Sequence, residues 1–120
     1  MRILYFSRDY TTHDHRFLEK MAQTHHDIFF LRLEDDGIIY EPRPLPDGIV
    51  AIDWKGGKVP VRTPEDWIRL MPDLSKVLDQ VCPDLVHAGP VQSCAFMAAL
   101  AGFRPLLVMS WGSDMLIDAE

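Results

Sequence analysis

Apolar positions in this chain fall into two alternating kinds of run. Short, nearly continuous stretches cover residues 2–7 (centred on Ile3, Leu4, Tyr5 and Phe6), 27–33 (Ile28, Phe29, Phe30 and Leu31), 48–54, 84–87 and 105–109. Runs of that length suit strands covered on both faces, as in a parallel sheet. Between them lie segments with helical spacing. Thr11 and Asp14 form a capping pair, and Phe17, Leu18, Met21 and Ala22 follow as one apolar face. Thr63-Pro64-Glu65-Asp66 opens a second helix, in which Trp67, Met71, Leu74, Leu78 and Val81 recur at intervals of three and four. Pro72 is expected to kink or divide it, and Pro83 to end it. A third helix, almost wholly apolar, is expected over residues 91–103. Residues 34–46, with their acids, Gly37 and three prolines, read as an extended loop.

Strands alternating with helices predict an α/β fold: a three-layer, Rossmann-like sandwich around a parallel sheet of about five strands. Two crossovers on each side of the first strand give the order 3-2-1-4-5. Ligands in such sheets bind beyond the carboxyl ends of the strands. Chemistry is therefore expected in the loop after residue 7, in Ala88-Gly89-Pro90 and in Ser110-Trp111-Gly112-Ser113-Asp114.

Composition narrows the partners. The 120 residues, 48% hydrophobic and 25% charged, suit one globular domain, and a net charge of −6 argues against nucleic acid as a partner. The same charge gives no support to attachment at an anionic membrane. The apolar start is broken by Ser7-Arg8-Asp9, too short for a signal segment, and a cytoplasmic location is expected. Cys82 and Cys94 lack metal-ligand spacing and read as reduced, buried thiols.

Side-chain chemistry at the strand exits stays open at this level. Arg8, Asp9 and Arg16 lie in or just after the first loop, where an arginine fork can receive an anionic group or stay solvated. His87 ends the fourth strand, either facing the crevice or hydrogen-bonded at the strand end. Gly89 and Gly112 allow close backbone approach, and helix-start amides beside them can receive an anion. His13 and His15 would not share a helix face, so His13-Asp14-His15 is not read as a metal site. Gly56-Gly57 reads as a turn, without the spacing of a phosphate loop. No Gly-x-Gly-x-x-Gly and no Gly-x-Ser-x-Gly is present.

Three stretches carry a family resemblance: Met1-Arg2-Ile3-Leu4-Tyr5, Pro83-Asp84-Leu85-Val86-His87-Ala88 with the Ala-rich helix after it, and Leu106-Leu107-Val108-Met109-Ser110-Trp111-Gly112-Ser113-Asp114. With these the chain resembles the N-terminal, acceptor-side domain of a GT-B-type family 4 (group 1) glycosyltransferase. The resemblance implies transfer of a sugar from a nucleotide-sugar donor to an unknown sugar or lipid acceptor, with retention of configuration. It implies no metal and no cofactor, the nucleotide-sugar being a co-substrate. It also implies a second Rossmann-like domain, bearing a Glu-x7-Glu motif and most of the nucleotide-sugar site, that residues 1–120 do not contain. The chain is thus expected to be a truncated N-terminal domain, inactive alone, with self-association of the fragment left open. The cleft wall would comprise Arg8, Arg16, His87, Gly89, Trp111, Gly112, Ser113 and Asp114. Two departures stand out. The loop after the first strand lacks the Gly-Gly pair of many relatives, and Trp111 stands where many place a histidine, so no catalytic residue is carried over. Two other classes remain open: a flavodoxin- or receiver-like small-ligand module, and a non-catalytic assembly domain.

Overall fold

The computed structural model describes residues 1–109. Strand β1 (Arg2–Ser7) leads into α1 (Thr12–Ala22), β2 (Asp27–Arg32), β3 (Ile49–Ala51), α2 (Pro64–Val81) and β4 (Leu85–Gly89). A π-helical turn (Val91–Ala95) then runs into α3 (Phe96–Leu100), and β5 (Leu106–Val108) follows. All neighbouring strands pair in parallel, in the order β3-β2-β1-β4-β5, as the crossover argument predicts.

Side chains alternate across β1 and so divide the core. Ile3 and Tyr5 join Leu18 of α1 with Ile28 and Phe30 on one face. Leu4 and Phe6 join Leu70, Leu74, Val77 and Val81 of α2, and Met97 and Ala98 of α3, on the other. This is the expected three-layer sandwich. No helix among the described residues is long and apolar enough to cross a membrane.

Several elements depart from the sequence reading, each for a physical reason. α2 is continuous through Pro72, because its sheet-facing row, Leu70, Leu74, Val77 and Val81, stays buried on both sides of the proline. The expected row is rotated: Trp67, Met71 and Leu78 are only partly buried and flank that centre. On α1, Leu18 is buried as expected, but Phe17 lies exposed at the rim and Asp14 and His15 point inward. Tyr5 explains the inward Asp14, since its buried hydroxyl needs an acceptor and donates to Asp14 Oδ1 at 2.8 Å, while His15 turns in beside the Tyr10 hydroxyl, 2.7 Å from its Nδ1. The third helix splits. The Ala95 amide reaches back to the Pro90 carbonyl, forming the π-turn. Gly102, at φ +77, then ends α3 with the Phe103 amide bonded to the Ala98 carbonyl. β3 is three residues long, because the chain turns away after Ala51 to bury Trp54. β4 runs on through Ala88 and Gly89, which pair with Phe6 and Ser7. Both cysteines are free, but Cys82 is exposed, closing α2 in a left-handed conformation; only Cys94 is buried, and burial raises its thiol pKa.

Candidate functional site at the sheet's carboxyl edge

The exits of β1 and β2 stay joined beyond the strands. The Leu33 amide donates to the Ser7 carbonyl at 2.9 Å and the Glu34 amide to the Arg8 carbonyl at 3.0 Å. Charged side chains are thereby forced together. Glu34 is buried, accepting from Arg8 Nε at Oε1 and from the Val61 amide at Oε2, 3.0 Å. Arg32 donates from Nε to the Glu34 carbonyl at 2.7 Å and lies 3.6 Å from Asp9 Oδ1 and 3.9 Å from Asp35 Oδ1. Asp9 Oδ1 is buried and has no partner within hydrogen-bond distance; the Arg32 contact is a longer ion pair. Burial, then the carboxylates of Glu34 and Asp36, push the Asp9 carboxyl up to about 6, against the pull of Arg32 and Arg8.

The loop over residues 34–46 folds back above this group and leaves a cavity of about 310 Å³. Tyr10, Arg32, Asp35, Tyr40 and Glu41 wall it, with residues 37–39 as its lip. Its polar groups are tied in place. Arg43 grips Glu41 through Nε to Oε1 (2.7 Å) and Nη2 to Oε2 (3.0 Å), and Thr12 Oγ1 donates to Glu41 Oε2 at 3.1 Å. Chiefly through Arg43, the Glu41 carboxyl is held down to about 2. Tyr40 donates to Asp36 Oδ2, which pushes its phenol up to about 12 and lowers the Asp36 carboxyl. The Tyr10 hydroxyl donates to the Pro44 carbonyl at 3.0 Å and lies 2.7 Å from His15 Nδ1. Among the described residues, no three His, Cys, Asp or Glu side chains converge into a set fit for a metal ion.

A family model described as glycosyl transferase 4-like matches residues 2–119. The chain belongs to that family. Neither a curated protein nor a solved structure matches it.

Within this glycosyl transferase 4-like domain, the expected wall residues that fall among the described ones, Arg8, Arg16, His87 and Gly89, do not form one constellation. Arg8 is at the β1 exit, committed to Glu34. Arg16 lies exposed on α1, lining a separate shallow cleft with His13, Phe17 and Lys20. His87 is not at the strand end: it sits mid-β4, its ring 5.3 Å from Tyr5 and 5.9 Å from Phe17 between centroids, and burial lowers its pKa. Gly89 is buried, and a Cβ there would lie 2.7 Å from the Met109 carbonyl oxygen, so the chain just after β5 occupies the space the missing side chain leaves. Gly56 and Gly57 wrap the Trp54 indole, whose Nε1 donates to the Arg32 carbonyl at 2.7 Å. Trp111, Gly112, Ser113 and Asp114 lie outside the described residues. The sequence reading passed over Arg32, Glu34, Asp35, Tyr40 and Glu41. One available signal was Glu34-Asp35-Asp36 directly after a predicted strand, at the crevice edge.

Proposed function

We propose that this chain is the acceptor-side half of a two-domain, GT-B-type glycosyltransferase. A sugar would pass from a nucleotide-sugar to a sugar or lipid acceptor, with retention of configuration. The observation that carries the reading is the family match over residues 2–119, on a sheet whose β1 and β2 exits enclose a preorganised charged cleft. This half would hold the acceptor and form one wall of the reaction cleft. The second domain would hold the nucleotide-sugar, the only co-substrate needed. Stabilising charge on the leaving diphosphate and excluding water as the two domains close would lower the barrier. A cytoplasmic location, supported by the free thiols Cys82 and Cys94, belongs to the same reading.

The test is nucleoside diphosphate release from a panel of nucleotide-sugars, by the purified 120-residue chain and by the chain joined to its second domain. The chain alone should be silent. The joined protein should turn over and give a product whose anomeric configuration, read by NMR, matches the donor's. Turnover by the isolated chain would overturn the division of labour, and an inverted product would remove retention.

A further inference from the structure

We propose that the cavity under the 34–46 loop is the acceptor subsite and takes an uncharged, hydroxyl-rich sugar ring rather than a phosphate-bearing group. This rests on the glycosyltransferase reading and adds the chemical class of ligand. Charge decides first. Five carboxyl groups (Asp9, Glu34, Asp35, Asp36 and Glu41) gather here against three guanidinium groups (Arg8, Arg32 and Arg43). Each arginine is already within ion-pair distance of a carboxylate: Arg8 with Glu34, Arg32 with Asp9 and Asp35, Arg43 with Glu41. A phosphate entering the cavity would find its cations spoken for and surplus negative charge beside it, which repels it.

The same groups suit hydroxyls. A sugar hydroxyl both donates and accepts, and here carboxylate acceptors stand beside guanidinium and phenol groups. Tyr10 and Tyr40 add flat ring surface against which the C–H face of a pyranose can lie. A largely polar lining in about 310 Å³, at the small end of ligand pockets, matches one hydroxyl-rich sugar ring rather than a nucleotide. The internal pairs of Tyr40 with Asp36 and Arg43 with Glu41 hold the walls before a ligand arrives, so little ordering is lost on binding.

The experiment follows backbone amide signals of the 120-residue chain by NMR. It is titrated with the methyl α-glycosides of glucose, mannose, galactose and N-acetylglucosamine, and separately with glucose 6-phosphate. At least one glycoside should shift the amides of residues 35–41 and Tyr10 along a saturating curve in the millimolar range. Glucose 6-phosphate should bind there at least tenfold more weakly. Tyr40→Ala, at an exposed position, should weaken the glycoside at least fivefold while leaving the remaining spectrum folded. Failure of every glycoside to shift these amides, shifts confined to another surface, or equal or tighter binding of the phosphate ester would each overturn the proposal. Activity of the joined enzyme separates the two claims. Turnover without glycoside shifts in this cavity sinks the subsite alone, whereas shifts here without turnover sink the transferase reading and leave a sugar-binding site.

Discussion

Asp9 shows how a single residue at the strand exits trades stability for position. Its side chain is mostly buried beside Glu34 and Asp36, with Arg32 too far for a hydrogen bond. The folded carboxyl, pushed up to about 6, holds its proton more tightly than the unfolded chain, whose ordinary value is about 3.9. The sign follows: its contribution to stability is fully present below about pH 4 and lost as pH rises through about 6. Discounted for partial solvent exposure, the loss is on the order of 1–2 kcal/mol. Asp9→Asn should therefore raise Tm more at about pH 7.5 than at about pH 4.5. An equal gain at both values would show that Asp9 is not titrating in this window. Glu41, held low by Arg43, acts in a separate window: its contribution is present above the ordinary carboxyl range and lost only as pH falls toward 2. This residue-scale chemistry was only partly legible beforehand. Asp9 could be placed at a strand exit from the sequence, but its neighbours Glu34 and Asp36 come from another strand's exit.

At the scale of elements, α2 holds the clearest conflict between local rule and tertiary outcome. Pro72 lacks an amide hydrogen and crowds the preceding turn, a cost of about 3 kcal/mol against alanine inside a helix. The helix nonetheless spans Pro64–Val81 unbroken, since Leu70 and Leu74 are buried on either side of the proline and fix both halves to the sheet. Pro72→Ala should stabilise the domain by about 1–2 kcal/mol, a net of the regained helix bond and the freer unfolded chain, and raise Tm by several degrees. A fall in thermal midpoint would show instead that a proline bend is needed to seat Met71 and Trp67. The helix starts obey their local rules: Thr11 with Asp14 and Thr63 with Asp66 both form complete capping boxes.

At the scale of the whole molecule, the cations consumed by the acidic cleft contrast with those presented on α1. Arg8, Arg32 and Arg43 belong to the first group, whereas Arg16 and Lys20 stand exposed on the helix's outer face. If this half reaches the donor's diphosphate in a closed two-domain enzyme, Arg16 is better placed to do so than Arg8. Arg16→Ala in the joined enzyme should lower donor affinity severalfold with the fold intact. Unchanged donor affinity and turnover would remove Arg16 from the reaction cleft.

Sheet order, layer count and both capping boxes were set by the sequence alone, because each depends on residues a few positions apart or on the crossover rule. The tertiary structure decided which polar groups meet. Arg8 and Glu34 lie 26 positions apart, Tyr10 and Pro44 34, and Glu34 and Val61 27, and only the joined exits of β1 and β2 bring them together. Asp14 turned inward because a buried hydroxyl on β1 must be satisfied, and hydrophobic periodicity carries no information about where its partner will come from. The cleft's composition is thus written in the sequence, but its existence as a cleft is a property of the packed chain.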